Sequence, residues 1–254
     1  MKVSYILVWA DTNSLNRIDP TNYETNTKVD NVLLRHTLEL IEQILEMNPH
    51  EILIMDNEGN FPKHKNPLVK VIPSYQSYDL SKERPDWLDE ITIEDYYEDI
   101  HMNHAKCLAM AYNHGIIESS GDYLILQHND TLYIENFTEE QIELLEEENY
   151  EYFADCYWFL CRKDFYYKHN IWVDWIRGDN NHLATITCKD KGLKYLHLPG
   201  FYGTKETNKR EFFKKYNYNT NEGRLHTFND KPFLIHRKGG TGLHRILEEK
   251  RWYY

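Results

Sequence analysis

The chain has 254 residues, 41% of them hydrophobic and 14% aromatic, which is ample material for one large α/β core and excludes wholesale disorder. A formal net charge of −12 excludes a protein whose main task is gripping nucleic acid, because phosphate contacts demand a basic face. Cys107, Cys156, Cys161 and Cys188 form no CxxC pair and read as reduced thiols, and no apolar run approaches the roughly 18 residues of a membrane span, so a cytoplasmic protein is expected.

In chain order, Val3 to Ala10 is a continuous apolar run of strand length, which reads as a strand covered on both faces rather than a signal peptide. Apolar residues from Val32 to Met47 recur at helical spacing, and Asn48-Pro49 ends that helix. Glu51 to Met55 is a second buried strand, stopped by the turn-forming run Asp56-Asn57-Glu58-Gly59-Asn60. Strand, helix, strand in this order implies a parallel pair with a right-handed crossover. Val69 to Ile72 reads as a short strand, and residues 74–99 as an inserted loop with helical pieces. His104 to Glu118 predicts a helix, Ser119-Ser120-Gly121-Asp122 closes it, and Tyr123 to Leu126 forms another buried strand.

A very acidic helix is expected over Glu139 to Glu148, its charge run being a solvated face. Tyr152 to Cys161 reads as one apolar strand, with a turn or short helix beginning at Arg162. A short helix over His182 to Lys191, an alternating strand-like segment from Leu193 to Leu198 and an apolar piece at Phe233 to Ile235 complete the pattern. The expected architecture is α/β, with a mixed, mainly parallel central sheet flanked by helices. Residues 1–200 form its body, and residues 201–254 a C-terminal extension that packs on it and completes the ligand site.

Ligands of open α/β sheets bind beyond the carboxyl ends of the strands. The first, second and fourth strands deliver Ala10-Asp11-Thr12-Asn13, Asp56-Asn57 and His128-Asn129-Asp130 to such ends, and these are expected to converge on one edge. A carboxylate beside an imidazole suits Mn²⁺ or Mg²⁺, which would neutralise a diphosphate leaving group. An Asx turn leaving the strand is the alternative reading of Asn129-Asp130.

The run from Ala109 to Asp130 resembles the central segment of family 2 glycosyltransferases and their GT-A relatives. There a helix carrying Asn-x-Gly leads to a small-Gly-Asp-Tyr turn, a buried strand and an acidic metal signature. Asn113, Gly115, Gly121, Asp122 and Tyr123 fit this pattern; Asp130 stands at the metal-binding last Asp, and His128 replaces the usual first acid. The resemblance extends over roughly residues 3–200. It implies that Asp56 contacts the nucleoside and that Ala10, Asn113 and Asn129 line the donor site. It also implies that Asp179, in Gly178-Asp179-Asn180-Asn181-His182, is the general base on an acceptor hydroxyl, although Asp179 also suits a helix cap. His236 would join Asp130 and His128 on the metal, with Arg237 and Lys238 steadying the diphosphate; a solvated basic turn is the plainer reading of that cluster.

The expected protein is therefore a GT-A-like, metal-dependent, inverting glycosyltransferase. It would use Mn²⁺ or Mg²⁺, a nucleoside diphosphate sugar donor and a glycan or other hydroxyl acceptor, with no nucleic acid or membrane-span partner. A nucleotidyltransferase of related fold and a non-catalytic glycan-binding module on a degenerate GT-A fold are the alternatives. The nucleotidyltransferase is disfavoured because no glycine follows the first strand through Arg17.

Overall fold

A computed structural model describes residues 1–9, 26–57, 59, 61–74, 100–129, 131–155, 158–173, 188–198, 200–202 and 223–237. Strand β1 (Val3–Trp9) is followed by helix α1 (Asn26–Glu46), β2 (Glu51–Asp56), β3 (Val69–Pro73) and helix α2 (Ile100–Glu118). Next come β4 (Tyr123–Gln127), β5 (Thr131–Tyr133), helix α3 (Thr138–Glu147), β6 (Tyr152–Asp155), β7 (Trp158–Arg162) and the short helix α4 (Asp164–His169). The chain ends its described course in β8 (Tyr195–His197), β9 (Gly200–Tyr202), β10 (Gly223–Phe228) and β11 (Lys231–Arg237).

Seven strands form the main sheet in the order β3-β2-β1-β4-β7-β6-β8. β1 runs parallel to β2 and β4, and β2 to β3, whereas β7 is antiparallel to both β4 and β6. The α/β class and the mixed, mainly parallel sheet therefore stand as expected. Alternation along β1 divides the core into two layers. Tyr5, Leu7 and Trp9 join Leu40, Ile41 and Ile44 of α1 on one face. Ile6 and Val8 join Ala109, Tyr112 and Ile116 of α2 on the other. Full burial of each Ile or Leu contributes about 1.5–3 kcal/mol, so both faces of the continuous apolar run are spent in the core. That accounts for its lack of a polar side.

Two elements differ from the sequence expectation. The single strand read over Tyr152 to Cys161 is a hairpin of β6 and β7. Apolar content alone hides the reversal, because residues 156–157 carry no Gly, Pro, Asn or Asp to mark it. Residues 200–202 and 223–228, read as polar tail, are strands that build a second sheet, in the order β5-β11-β10-β9. Helix α1 begins at Asn26, ahead of the Val32 expected, and ends as predicted: Asn48 takes a left-handed φ of 53° before Pro49. Of the helix expected over His182 to Lys191, residues 182–187 lie outside the described part and 188–190 are helical. Among the described residues no helix is long and apolar enough to cross a membrane.

Two motif glycines are explained by close approach. A methyl group on Gly115 of α2 would fall 2.5 Å from Ile6 Cγ2, so the glycine lets the helix press on the sheet. On Gly121 it would fall 2.8 Å from the Ser4 backbone nitrogen and 2.9 Å from the Lys2 carbonyl oxygen. The turn into β4 fits against the start of β1 only without a side chain.

Candidate functional site

The carboxyl ends of β1, β2 and β4 lie on one edge because the three strands are parallel. Trp9 is the register partner of Asp56, and Leu7 that of Gln127, so the chain beyond Gln127 continues alongside Trp9. His128 and Asn129 follow there, both half-buried. The His128 ring lies over Tyr112 of α2, with centroids 6.4 Å apart and planes at 26°. Ala10 and Asp130 lie outside the described residues, although their chain neighbours Trp9 and Thr131 fall at this edge.

Asp56 is buried, and both carboxylate oxygens work on the loop that follows it. Oδ1 accepts the Gly59 N–H and Oδ2 the Phe61 N–H, each at 2.9 Å. Gly59 has φ of 71°, which the tight reversal requires. The loop returns Phe61 onto Trp9, with ring centroids 5.2 Å apart in an edge-on contact. Asp56 therefore organises the floor of this edge, a task that the sequence reading of a nucleoside contact did not include.

Asn113 was expected among the donor-binding residues. It is buried, and its side-chain amide clasps one backbone residue: Nδ2 donates to the Val173 carbonyl at 3.1 Å and Oδ1 accepts the Val173 N–H at 2.9 Å. That two-point pairing ties α2 to the segment entering residues 174–180 and gives Asn113 a positioning task. Asp179 lies outside the described residues.

The C-terminal segment reaches the same edge through backbone pairing. In the β5–β11 ladder, Tyr133 opposes Leu234, Leu132 opposes Ile235, and Thr131 opposes His236. His236 thus sits across from the residue that directly follows Asp130, with Arg237 one position further. The described part of His236 and Arg237 is their backbone, and Lys238 lies outside. Among the described residues no group of three His, Cys, Asp or Glu side chains is arranged to hold a metal ion. The remaining expected ligands, Asp130 and the His236 imidazole, fall beyond that set.

A buried polar set beneath the turn was missed from the sequence. Gln127 Nε2 donates to Thr131 Oγ1 at 2.6 Å, and Thr131 Oγ1 donates to the His128 carbonyl at 2.7 Å. Tyr133 OH donates to Gln127 Oε1 at 2.7 Å and itself accepts the Trp158 indole N–H at 3.1 Å. Burial pushes the Tyr133 phenol well above its ordinary range, so it stays protonated. The available signal was Gln127 itself, a polar residue closing an otherwise apolar buried strand, which must find partners there.

The acidic run of α3 is a solvated face, as expected, and it carries ion pairs. Arg162 Nε lies 2.8 Å from Glu146 of α3 and Lys194 2.7 Å from Glu148 at its C-terminal cap, while Lys168 lies 3.0 Å from Glu151 beyond the helix. These belong to the far side of the sheet from the convergent strand ends.

A mainly parallel α/β sheet with polar strand ends, joined to a short antiparallel sheet at one edge, defines a GT-A-like domain. The chain belongs to glycosyl transferase family 2, whose profile matches residues 85–235, more than half of the chain. No curated protein matches it in sequence. Among solved structures it is similar to bifunctional IspDF from Campylobacter jejuni, with 9% identity over 80% of this chain and 50% of that one and a TM-score of 0.46. It is also similar to S. aureus TarS, with 7% identity over 74% and 55% of the two chains and a TM-score of 0.42. A third is a Drosophila β-1,4-galactosyltransferase 7 mutant in complex with manganese, UDP-Gal and xylobiose, with 12% identity over 78% and 65% and a TM-score of 0.38. The chain thus spans between half and about two thirds of the length of these solved chains.

Proposed function

We propose that this family 2 glycosyltransferase moves a sugar from a nucleoside diphosphate sugar to a hydroxyl group of a glycan or similar acceptor. The observation that carries the reading is the convergence of segments distant in sequence. The ends of β1, β2 and β4 share one edge, and β11 brings residues 236–237 beside the chain that leaves Asp130. Family membership supports the reaction class, and the convergence at this edge supports the location proposed for it.

On this reading the nucleoside lies over the loop that Asp56 holds, beside Ala10 and Trp9, and Asn129 faces the donor. Asp130, His128 and His236 would hold Mn²⁺ or Mg²⁺, which when bound supplies positive charge to the departing diphosphate. Arg237 and Lys238 add charge from the C-terminal side, the local exception in a chain of net −12. The acceptor oxygen attacks the anomeric carbon from the face opposite the diphosphate, which gives inversion, and its proton passes to the Asp179 carboxylate. Asn113 acts one step removed, by fixing Val173 at the start of the segment that carries Asp179.

The test is donor hydrolysis with Mn²⁺, scored as release of free nucleoside diphosphate from a panel of nucleoside diphosphate sugars. The wild-type chain should turn over one donor slowly without acceptor. Asp130→Ala should reduce that rate at least about a hundredfold, the scale of losing a main charge-stabilising group, with its thermal melt nearly unchanged. Full activity in a folded Asp130→Ala variant would remove Asp130 from the site.

A further inference from the structure

The turn that carries His128-Asn129-Asp130 has an unusual mechanical position. It leaves β4 of the main sheet and enters β5 of the second sheet, and these two strands are not neighbours in either sheet. The residues on either side of the turn are therefore joined by no ladder of their own. Side chains take over that function. Gln127, the last residue of β4, reaches Thr131, the first of β5, and Thr131 returns a hydrogen bond to the His128 carbonyl inside the turn.

The direction of every bond in this set is dictated by its ends. The Trp158 indole can only donate, so Tyr133 OH accepts from it and passes its own proton to Gln127 Oε1. The Gln127 amide is thereby oriented with Nε2 toward Thr131, whose hydroxyl proton must go to the His128 carbonyl, a group that can only accept. Trp158 is also the register partner of Gln127 across the β4–β7 ladder, which anchors the far end. From the outer side, Gln43 of α1 pairs with the Tyr133 backbone at both its N–H (2.9 Å) and its carbonyl (3.2 Å). Gln127, Thr131 and Trp158 are fully buried and Tyr133 nearly so. Hydrogen bonds that share partners in so dry a setting reinforce one another.

We infer that Gln127 and Thr131 are positioning residues for donor binding: their side chains form a strut that sets the backbone of the 128–130 turn and thereby the grip on a nucleoside diphosphate. The inference rests on the transferase reading above, and it assigns a role to two buried residues that the sequence reading of the site did not include. The strut does not touch the reacting atoms. It acts through the geometry of the residues that do.

Thr131→Val deletes the hydroxyl with little change of shape, and Thr131→Ser restores it. The probes are UDP, GDP, CDP and ADP, each titrated with Mn²⁺ into the full chain, alongside amide hydrogen exchange. Thr131→Val should weaken binding of the accepted nucleotide about tenfold, the scale of one lost hydrogen bond, and speed exchange of the amides around 128–132 but not those of β1 and β2. Thr131→Ser should bind like the wild type. A folded Thr131→Val variant with wild-type binding and exchange would overturn the strut. So would a Thr131→Ser variant as weak as Thr131→Val, since retaining the hydroxyl would then restore nothing. Should Thr131→Val fail to fold, Tyr133→Phe breaks the chain one link away and must weaken binding in the same direction, and unchanged binding would refute the role. Wild-type protein that binds none of the four nucleotides would instead overturn the transferase reading on which the donor role depends.

Discussion

Glu51 opens β2 at the rim opposite the convergent strand ends, and it shows how a buried charge is tolerated in this sheet. Its Oε1 accepts from Ser4 Oγ at 2.7 Å, from the Ser120 backbone N–H at 2.6 Å and from Ser120 Oγ at 2.9 Å, while Lys70 Nζ lies 2.6 Å from Oε2. Burial alone would raise its pKa, but the hydrogen bonds from Lys70, Ser120 and Ser4 together outweigh it and bring the carboxyl from 4.5 down to about 2. The group is more acidic when folded, so its contribution is fully present above pH 4.5 and is lost as pH falls toward 2. A shift of that size is worth about 3 kcal/mol, an upper figure because Lys70 is half exposed to solvent. Glu51→Gln should therefore lower unfolding free energy by about 2–3 kcal/mol at pH 7 and by clearly less near pH 3, as read from urea unfolding at the two values. An equal loss at both would show that the charge is not what the network holds. Burial also raises the thiols of Cys161 and Cys188, both free and buried, which agrees with the reduced thiols expected from their spacing.

Among the described elements, the turn between α2 and β4 is a tight junction. Gly121 N–H donates to Ser4 Oγ at 2.9 Å, and the N–H groups of Asp122 and Tyr123 both reach the Lys2 carbonyl. A methyl at position 121 would meet backbone atoms of β1, which cannot rotate away, so Gly121→Ala should cost about 2–3 kcal/mol in denaturant unfolding. A loss below about 0.5 kcal/mol would mean that β4 need not sit so close to β1. The long elements were legible because their patterns are long: β1, β2 and β4 as continuous apolar runs, α1 and α2 by helical spacing. Strands β5 and β9 were not: each is three residues long, and unlike β8, which lies within the alternating run from Leu193 to Leu198, neither sits in a longer patterned segment. The β10–β11 hairpin did leave a signal. Asn229 and Asp230 hold φ of 49° and 61° at its tip, the pair of left-handed residues favoured by a two-residue hairpin loop. The same limit applies to the candidate site. His128 and Asp130 could be picked out from the sequence as candidates at a strand end, whereas Thr131 and Tyr133 are tied to that turn only by contacts with Gln127 and Trp158 that form in the folded chain.

At the scale of the whole molecule, the second sheet is the structural consequence with most bearing on function. β5, from the middle of the chain, is paired to β11, from its C-terminal part, so the candidate donor edge is closed by residues about a hundred positions apart. A nucleotide bound there would contact both, and its binding energy would add to the stability of the folded state. At a hundredfold excess over Kd the gain is about 2.7 kcal/mol, which for a chain of this size raises the melting temperature by about 5–10 °C. Binding at an edge built from β1, β2, β4 and β11 should also be selective for the base, because Asp56 fixes the loop on which the base would rest. The most direct measurement is a thermal-shift panel of UDP, GDP, CDP and ADP with and without Mn²⁺. The account predicts that one of the four raises the melting temperature by several degrees over the others, and by more when Mn²⁺ is present. No shift from any of the four under either condition would contradict it.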